Sequence, residues 1–184
     1  MFRSVLLVLL MLFPLQLASA GDTDLESGLI DALRRTPGTD MRTPNSGKAI
    51  QDYIRAGALN KKPNGRADYT DYWILKRPEK FMGHDLIVIE EEYMAKYVGC
   101  CVSDGAGINV RVIGSTSKLE QFAQMNACTF TADVKLQAEL SDHGIKATIP
   151  SGRYASLSCR ERDARSQDDA NKNLPKTRDG RRDK

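Results

Sequence analysis

Four cysteines, two histidines and a run of three glutamates are the side chains of this chain best equipped for chemistry. The cysteines stand at positions 100, 101, 128 and 159. An even number of cysteines in an oxidising compartment reads first as disulfides, here two. Neighbouring residues of a strand point to opposite faces, so a bond between Cys100 and Cys101 would need a strained local backbone. The adjacent pair is therefore expected to divide, one bonding Cys128 and the other Cys159, with two connectivities left open. Closing a loop of about 28 residues in this way stabilises by roughly 3–4 kcal/mol on the chain-entropy account. Bracing leaves no thiolate for a Cys–His nucleophile, and adjacent cysteines do not have the two-to-four-residue spacing of zinc ligands. No catalytic residue, metal ligand or cofactor is assigned.

The other polar groups carry weaker signals. His84 and Asp85, with the run Glu90-Glu91-Glu92, contain the oxygen and nitrogen donors a hard cation would use, but a run of carboxylates is more often a solvated strand end. His143 lies between Asp142 and Gly144 in a turn. Gly105-Ala106-Gly107 lacks the third glycine of a dinucleotide fingerprint and the lysine of a phosphate loop, and reads as a hairpin loop. Tyr69, Tyr72 and Trp73 sit beside Lys76 and Arg77. Exposed aromatics flanked by cations can stack on a partner, so these five residues form the candidate binding surface. The competing reading, which we favour for Trp73, is that a lone tryptophan belongs to the core.

These residues need elements to hold them. A helix is expected over Asp22–Arg35, where Leu25, Leu29 and Leu33 recur on one face, and a second over Gly47–Ala56 with Ile50 and Ile54. Short strands follow at Tyr72–Leu75, His84–Glu90, Tyr93–Val102 and Ile108–Val112. Ser117 and Glu120 have capping-box spacing ahead of the apolar stripe Leu119, Phe122, Ala123, which predicts one helix inserted between strands. From Cys128 to Leu140 apolar and polar residues alternate at period two, the pattern of one long half-buried strand. Ile145–Ile149 and Ala155–Cys159 complete a three-stranded meander. The fold class is α+β with a mainly antiparallel sheet and N-terminal helices, and a partly open barrel of the OB type is the alternative.

The chain opens with Arg3, an apolar run from Val5 to Phe13, and Ala18-Ser19-Ala20. That is the grammar of a cleavable export signal, with the cut expected before Gly21. The run is about half the 20 residues a membrane span needs. The expected organisation is thus 1–20 signal peptide, 21–68 helical segment packed on the sheet, 69–159 disulfide-braced β-rich core, and 160–184 charged disordered tail. The tail carries nine basic and six acidic side chains, whereas the body from Gly21 to Cys159 carries 17 and 18. A body without basic excess argues against nucleic acid as the partner. The sequence points to an exported, periplasmic or secreted, non-catalytic protein that binds another protein or an envelope component. The alternatives are a small hydrolase or thiol-redox enzyme, and a ligand or oligonucleotide binder using the sheet face.

Overall fold

Six strands form the frame: β1 (Gly65–Ala67), β2 (Thr70–Phe81), β3 (His84–Glu92), β4 (Gly105–Arg111), β5 (Thr129–Ala132) and β6 (Tyr154–Arg160). This is a computed structural model that describes residues 20–39, 41–42, 46–92 and 102–172. The strands join in one sheet of order β1-β2-β3-β4-β6-β5 in which every pairing is antiparallel. Among the described residues there are five helices: α1 (Ala20–Leu33), α2 (Ser46–Arg55), α3 (Ser117–Met125), α4 (Leu136–Asp142) and α5 (Glu161–Lys172). The architecture is α+β, as the element order predicts. The sheet stays open between its edge strands β1 and β5, so it is not a closed barrel.

One face of the sheet packs on α1, α2 and α3. Leu29 and Leu33 of α1, Ile50 and Tyr53 of α2, and Leu119 and Phe122 of α3 are buried against Trp73, Ile89, Ile108, Val110 and Leu157. Leu25 and Ile54, the outer members of the two predicted stripes, pack at the rim. Each fully buried side chain of this kind stabilises by about 1.5–3 kcal/mol, so the helical stripes explain why the N-terminal helices dock at all. The capping residue of α3 is Thr116 and not Ser117; its hydroxyl donates to Glu120 Oε1 at 2.6 Å. Part of the opposite face is covered by α4 and the extended segment that follows it. There Leu136, Leu140 and Ile145 meet Ile74, Ile87, Val88 and Tyr154. With both faces covered, Leu86 to Ile89 is buried without alternation.

The long strand expected from Cys128 to Leu140 does not exist. β5 ends at Ala132, Asp133 turns the chain with a positive φ of 55°, and Leu136–Asp142 is helical. The period-two pattern concealed a helical one, because Leu136 and Leu140 stand four residues apart and both are buried inward from α4. Ile145–Ile149 is extended but pairs with no strand. Gln137 clasps it instead, donating from Nε2 to the Ala147 carbonyl at 2.8 Å and accepting from the Ile149 amide at 3.2 Å. β2 is longer than predicted and runs through Pro78, where the register with β3 jumps from Ile74 to Glu79 and no ladder bond is asked of the proline. The expected strand at Tyr93–Val102 lies, but for Val102, outside the described residues.

The tail reading also needs correction over its first half. Arg160 ends β6, and α5 follows without a break. Ala164 is fully buried, and Gln167 Nε2 donates to the Cys128 carbonyl at 2.9 Å. A sequence poor in apolar residues docks here through one alanine and polar contacts. Residues 173–184 lie outside the described residues.

Candidate functional site

The strand register decides which polar side chains meet. One cross-strand row runs Tyr72, Glu90, Gly107, Ser158, Thr129, from β2 through β3, β4 and β6 to β5. Arg160 lies along this row. Its guanidinium reaches Glu90 Oε2 at 3.0 Å, Glu92 Oε1 at 3.0 Å and the Ser158 hydroxyl at 2.7 Å. Glu92 is 2 % exposed in its side chain, accepts the Ser103 amide at 2.6 Å and is also paired with Arg162. Asn109 Nδ2 donates to the other oxygen of Glu90 at 2.6 Å. Asp163, at the start of α5, accepts from the Arg160 amide and from the hydroxyls of Ser158 and Thr129, each at 2.8 Å.

Gly107 makes this arrangement sterically feasible. A Cβ there would stand 2.9 Å from Glu90 Oε2 and 3.1 Å from Arg160 Nη2, so the ion pair lies over bare backbone. Burial, with the Glu90 charge behind it, pushes the Tyr72 phenol up to about 12. Its ring is 5.4 Å from that of His143. The cluster is a largely buried network in which Arg160 pairs with Glu90 and Glu92, Arg162 pairs with Glu92, and Asp163 is held by neutral donors. Its contacts join β3 to β6 and to the start of α5.

The glutamate run is thereby divided. Glu90 and Glu92 face Arg160, while Glu91 accepts from the Ser46 hydroxyl at 2.9 Å, on the side of α2. Burial pushes the Glu91 carboxyl up, against the Ser46 bond. Asp85 is bonded to Lys80 at 2.7 Å and to Arg111 Nε at 3.1 Å, and these bonds, Lys80 foremost, hold its carboxyl below the usual range despite burial. His84 turns Nδ1 to the Ile113 amide at 3.0 Å. No group of three metal-ligating side chains occurs among the described residues.

An open groove of about 610 Å³ lies beside α4. Val134, Ala138, Ile149, Pro150 and Tyr154 supply apolar lining, and Lys135 and Arg153 stand at its polar margin with Asp133. A smaller hollow of about 250 Å³ shares Ile149 and Pro150 and is also lined by Lys76 and Ile87. The groove escaped the sequence reading because its walls are α4 and the unpaired Ile145–Ile149 segment, both read as strands.

The five residues of the predicted binding surface do not converge. Tyr69 is 42 % exposed at a positive φ of 66°. Tyr72 is half-buried on the side of the polar row, whereas Trp73 is 7 % exposed in the core beneath the helices. Adjacent strand positions enforce that split. Lys76 and Arg77 are exposed at the β2 irregularity, and Arg77 pairs with Glu79 at 2.9 Å.

The cysteine pairing differs from the expected one. Cys128 is bonded to Cys159, with their Cα atoms 4.4 Å apart. The β5–β6 register sets Thr129 opposite Ser158, so the next pair outward is Cys128 opposite Cys159. The expectation failed because it placed another strand between them. Cys100 and Cys101, to which those partners had been assigned, lie outside the described residues.

Arg42 was not anticipated. It is 2 % exposed, and its guanidinium donates to the carbonyls of Asn126, Ala127 (2.6 Å) and Arg160 (3.0 Å), close to Cys128 Sγ at 3.7 Å. Burial lowers its affinity for the proton. No sequence signal distinguishes this arginine from the surface ones around it. Comparison with family models, curated proteins and solved structures finds no match to this chain.

Proposed function

We propose that the protein is exported, to the periplasm or the medium, and serves there as a non-catalytic binding protein for another protein or an envelope component. The buried Cys128–Cys159 bridge carries this reading, since such bonds persist in oxidising compartments. No helix among the described residues is long and apolar enough to cross a membrane. Glu90 and Glu92 are held in ion pairs by Arg160, and the groove beside α4 offers apolar surface with Lys135, Arg153 and Asp133 at its margin.

The test has two parts. Fractionation with N-terminal sequencing should find the protein outside the cytoplasm, beginning at Gly21. A photo-crosslinking residue at Ala138 should then capture one partner that the same residue at Met125, exposed on α3, does not. A cytoplasmic chain that retains Met1, or equal labelling from both positions, would overturn the proposal.

One observation favours the thiol-redox reading as the second. With Cys128 and Cys159 joined, Cys100 and Cys101 have no other cysteine in the chain but each other. Titration of the native protein with a thiol reagent separates the readings, because a redox enzyme would yield a reactive thiol at one of those two positions.

A further inference from the structure

His84 begins β3 and is 1 % exposed. Its Nδ1 accepts the amide proton of Ile113 at 3.0 Å, so the neutral ring must carry its own proton on Nε2. Nε2 is buried and has no hydrogen-bond partner. An orphan donor of this kind is uncommon, and it marks a ring held in place by one bond only.

That bond sits at the exit of β4. Val112 donates to the Arg153 carbonyl at 2.8 Å, Ile113 donates to His84, and Arg153 reaches the Gly114 carbonyl at 3.5 Å. Beyond these contacts the chain enters α3, whose buried face closes one end of the core. We infer that His84 is an acid-sensitive latch, whose protonation releases Ile113 from the start of β3 and loosens the segment that leads into α3.

The chemistry follows from the lone pair. An imidazolium carries N–H on both nitrogens, so Nδ1 would point a proton at the Ile113 amide proton, and the bond must break. The second N–H would still be buried without an acceptor. The charged groups around the ring do not rescue the cation. Lys80 of β2 and Arg153, which precedes β6, oppose a positive charge there. Asp85 of β3 favours it, but its carboxylate is engaged by Lys80 and by Arg111 of β4. Glu26 of α1 is committed to the Met82 amide at 2.6 Å.

Burial accordingly pushes the His84 pKa below its ordinary 6.5. A depressed imidazole pKa means that the open form binds protons more readily than the closed one. Stability of the latch is complete above about pH 6.5 and is lost as pH falls toward the folded-state pKa. Within that interval the opening constant rises about tenfold per pH unit.

The experiment uses the full mature chain. Ring nitrogen NMR at neutral pH should show the Nε2–H tautomer of His84. Amide exchange at Ile113, corrected for the intrinsic pH dependence, should then accelerate as pH falls from about 6.5 toward the pKa of the folded ring and level off below it. Exchange at Ile108, in the middle of β4, should stay slow. The variant His84→Gln retains an acceptor for Ile113 and does not titrate, so its Ile113 exchange should lose the acid acceleration. If that variant does not fold, the wild-type ring titration decides alone, because imidazolium and Ile113 opening must appear together. An Nδ1–H tautomer, a titrating ring with Ile113 still protected, or equal acceleration at Ile108 would each overturn the inference.

Discussion

Replacing both bridge cysteines, Cys128→Ala with Cys159→Ala, tests the pairing and the role of the bond at once. The two residues are 31 apart in sequence. A loop of that size lowers the entropy of the unfolded chain enough to stabilise by ~3.7 kcal/mol. Both sulfurs are buried, at 3 % and 0 % exposure, so their removal adds packing loss on the order of 1 kcal/mol. A total near 4–5 kcal/mol corresponds to a fall in melting temperature of about 10–15 °C for a domain of this size. The assay is thermal and urea unfolding of the oxidised wild type beside the double variant. The urea slope should also rise, since the uncrosslinked denatured chain exposes more surface. A loss under about 1 kcal/mol, or a peptide map joining Cys128 to Cys100 or Cys101, would refute the reasoning.

Three further outcomes follow from single residues. Arg160→Met leaves Glu90 and Glu92 buried without their main cation and should cost about 3–5 kcal/mol by chemical denaturation; a loss under 1 kcal/mol would mean Arg162 suffices. Ala164→Leu must force a larger side chain into a site with no exposure, and calorimetry should register roughly 1–3 kcal/mol of destabilisation. If the side chain is tolerated freely, α5 does not dock as described. Gly105→Ala would set a methyl against the Cys159 carbonyl at a φ of 114°, and soluble expression should fall sharply; a normal yield with unchanged far-UV dichroism would place the β4–β6 register in error.

The apolar stripes of α1, α2 and α3 were legible because each falls at helical spacing, over two turns in α1 and about one in α2 and α3, and packs on the core. The same reasoning misread Cys128–Leu140, where two periods coincide: Phe130 and Ala132 fit a strand, while Leu136 and Leu140 fit both a strand and a helix. A break at Asp133 in the left-handed region leaves no compositional mark. The bridge was hidden for a related reason, since strand adjacency is a property of the sheet order and not of any local pattern. Ile145, Ala147 and Ile149 do alternate and do face the second core, yet Ala147 and Ile149 bond to Gln137 and Ile145 to the Leu140 carbonyl, which no periodicity reveals. Of the candidate site, the glutamate run was visible, but Arg42 and Arg160 gained meaning only from burial.

The sheet order β4-β6-β5 has a consequence for how the chain matures. β5 is synthesised before β6 yet pairs in the sheet only with β6, so it has no strand partner until the last strand arrives. The same delay applies to the bridge. A chain emerging with its N-terminus first presents Cys100, Cys101 and Cys128 to an oxidant before Cys159 exists to compete. Thiol–disulfide exchange joins whichever thiols meet, so early oxidation would trap Cys128 with the wrong neighbour. Maturation of this protein should therefore be limited by disulfide reshuffling, and its folding yield should depend on an isomerase more than on the supply of oxidant.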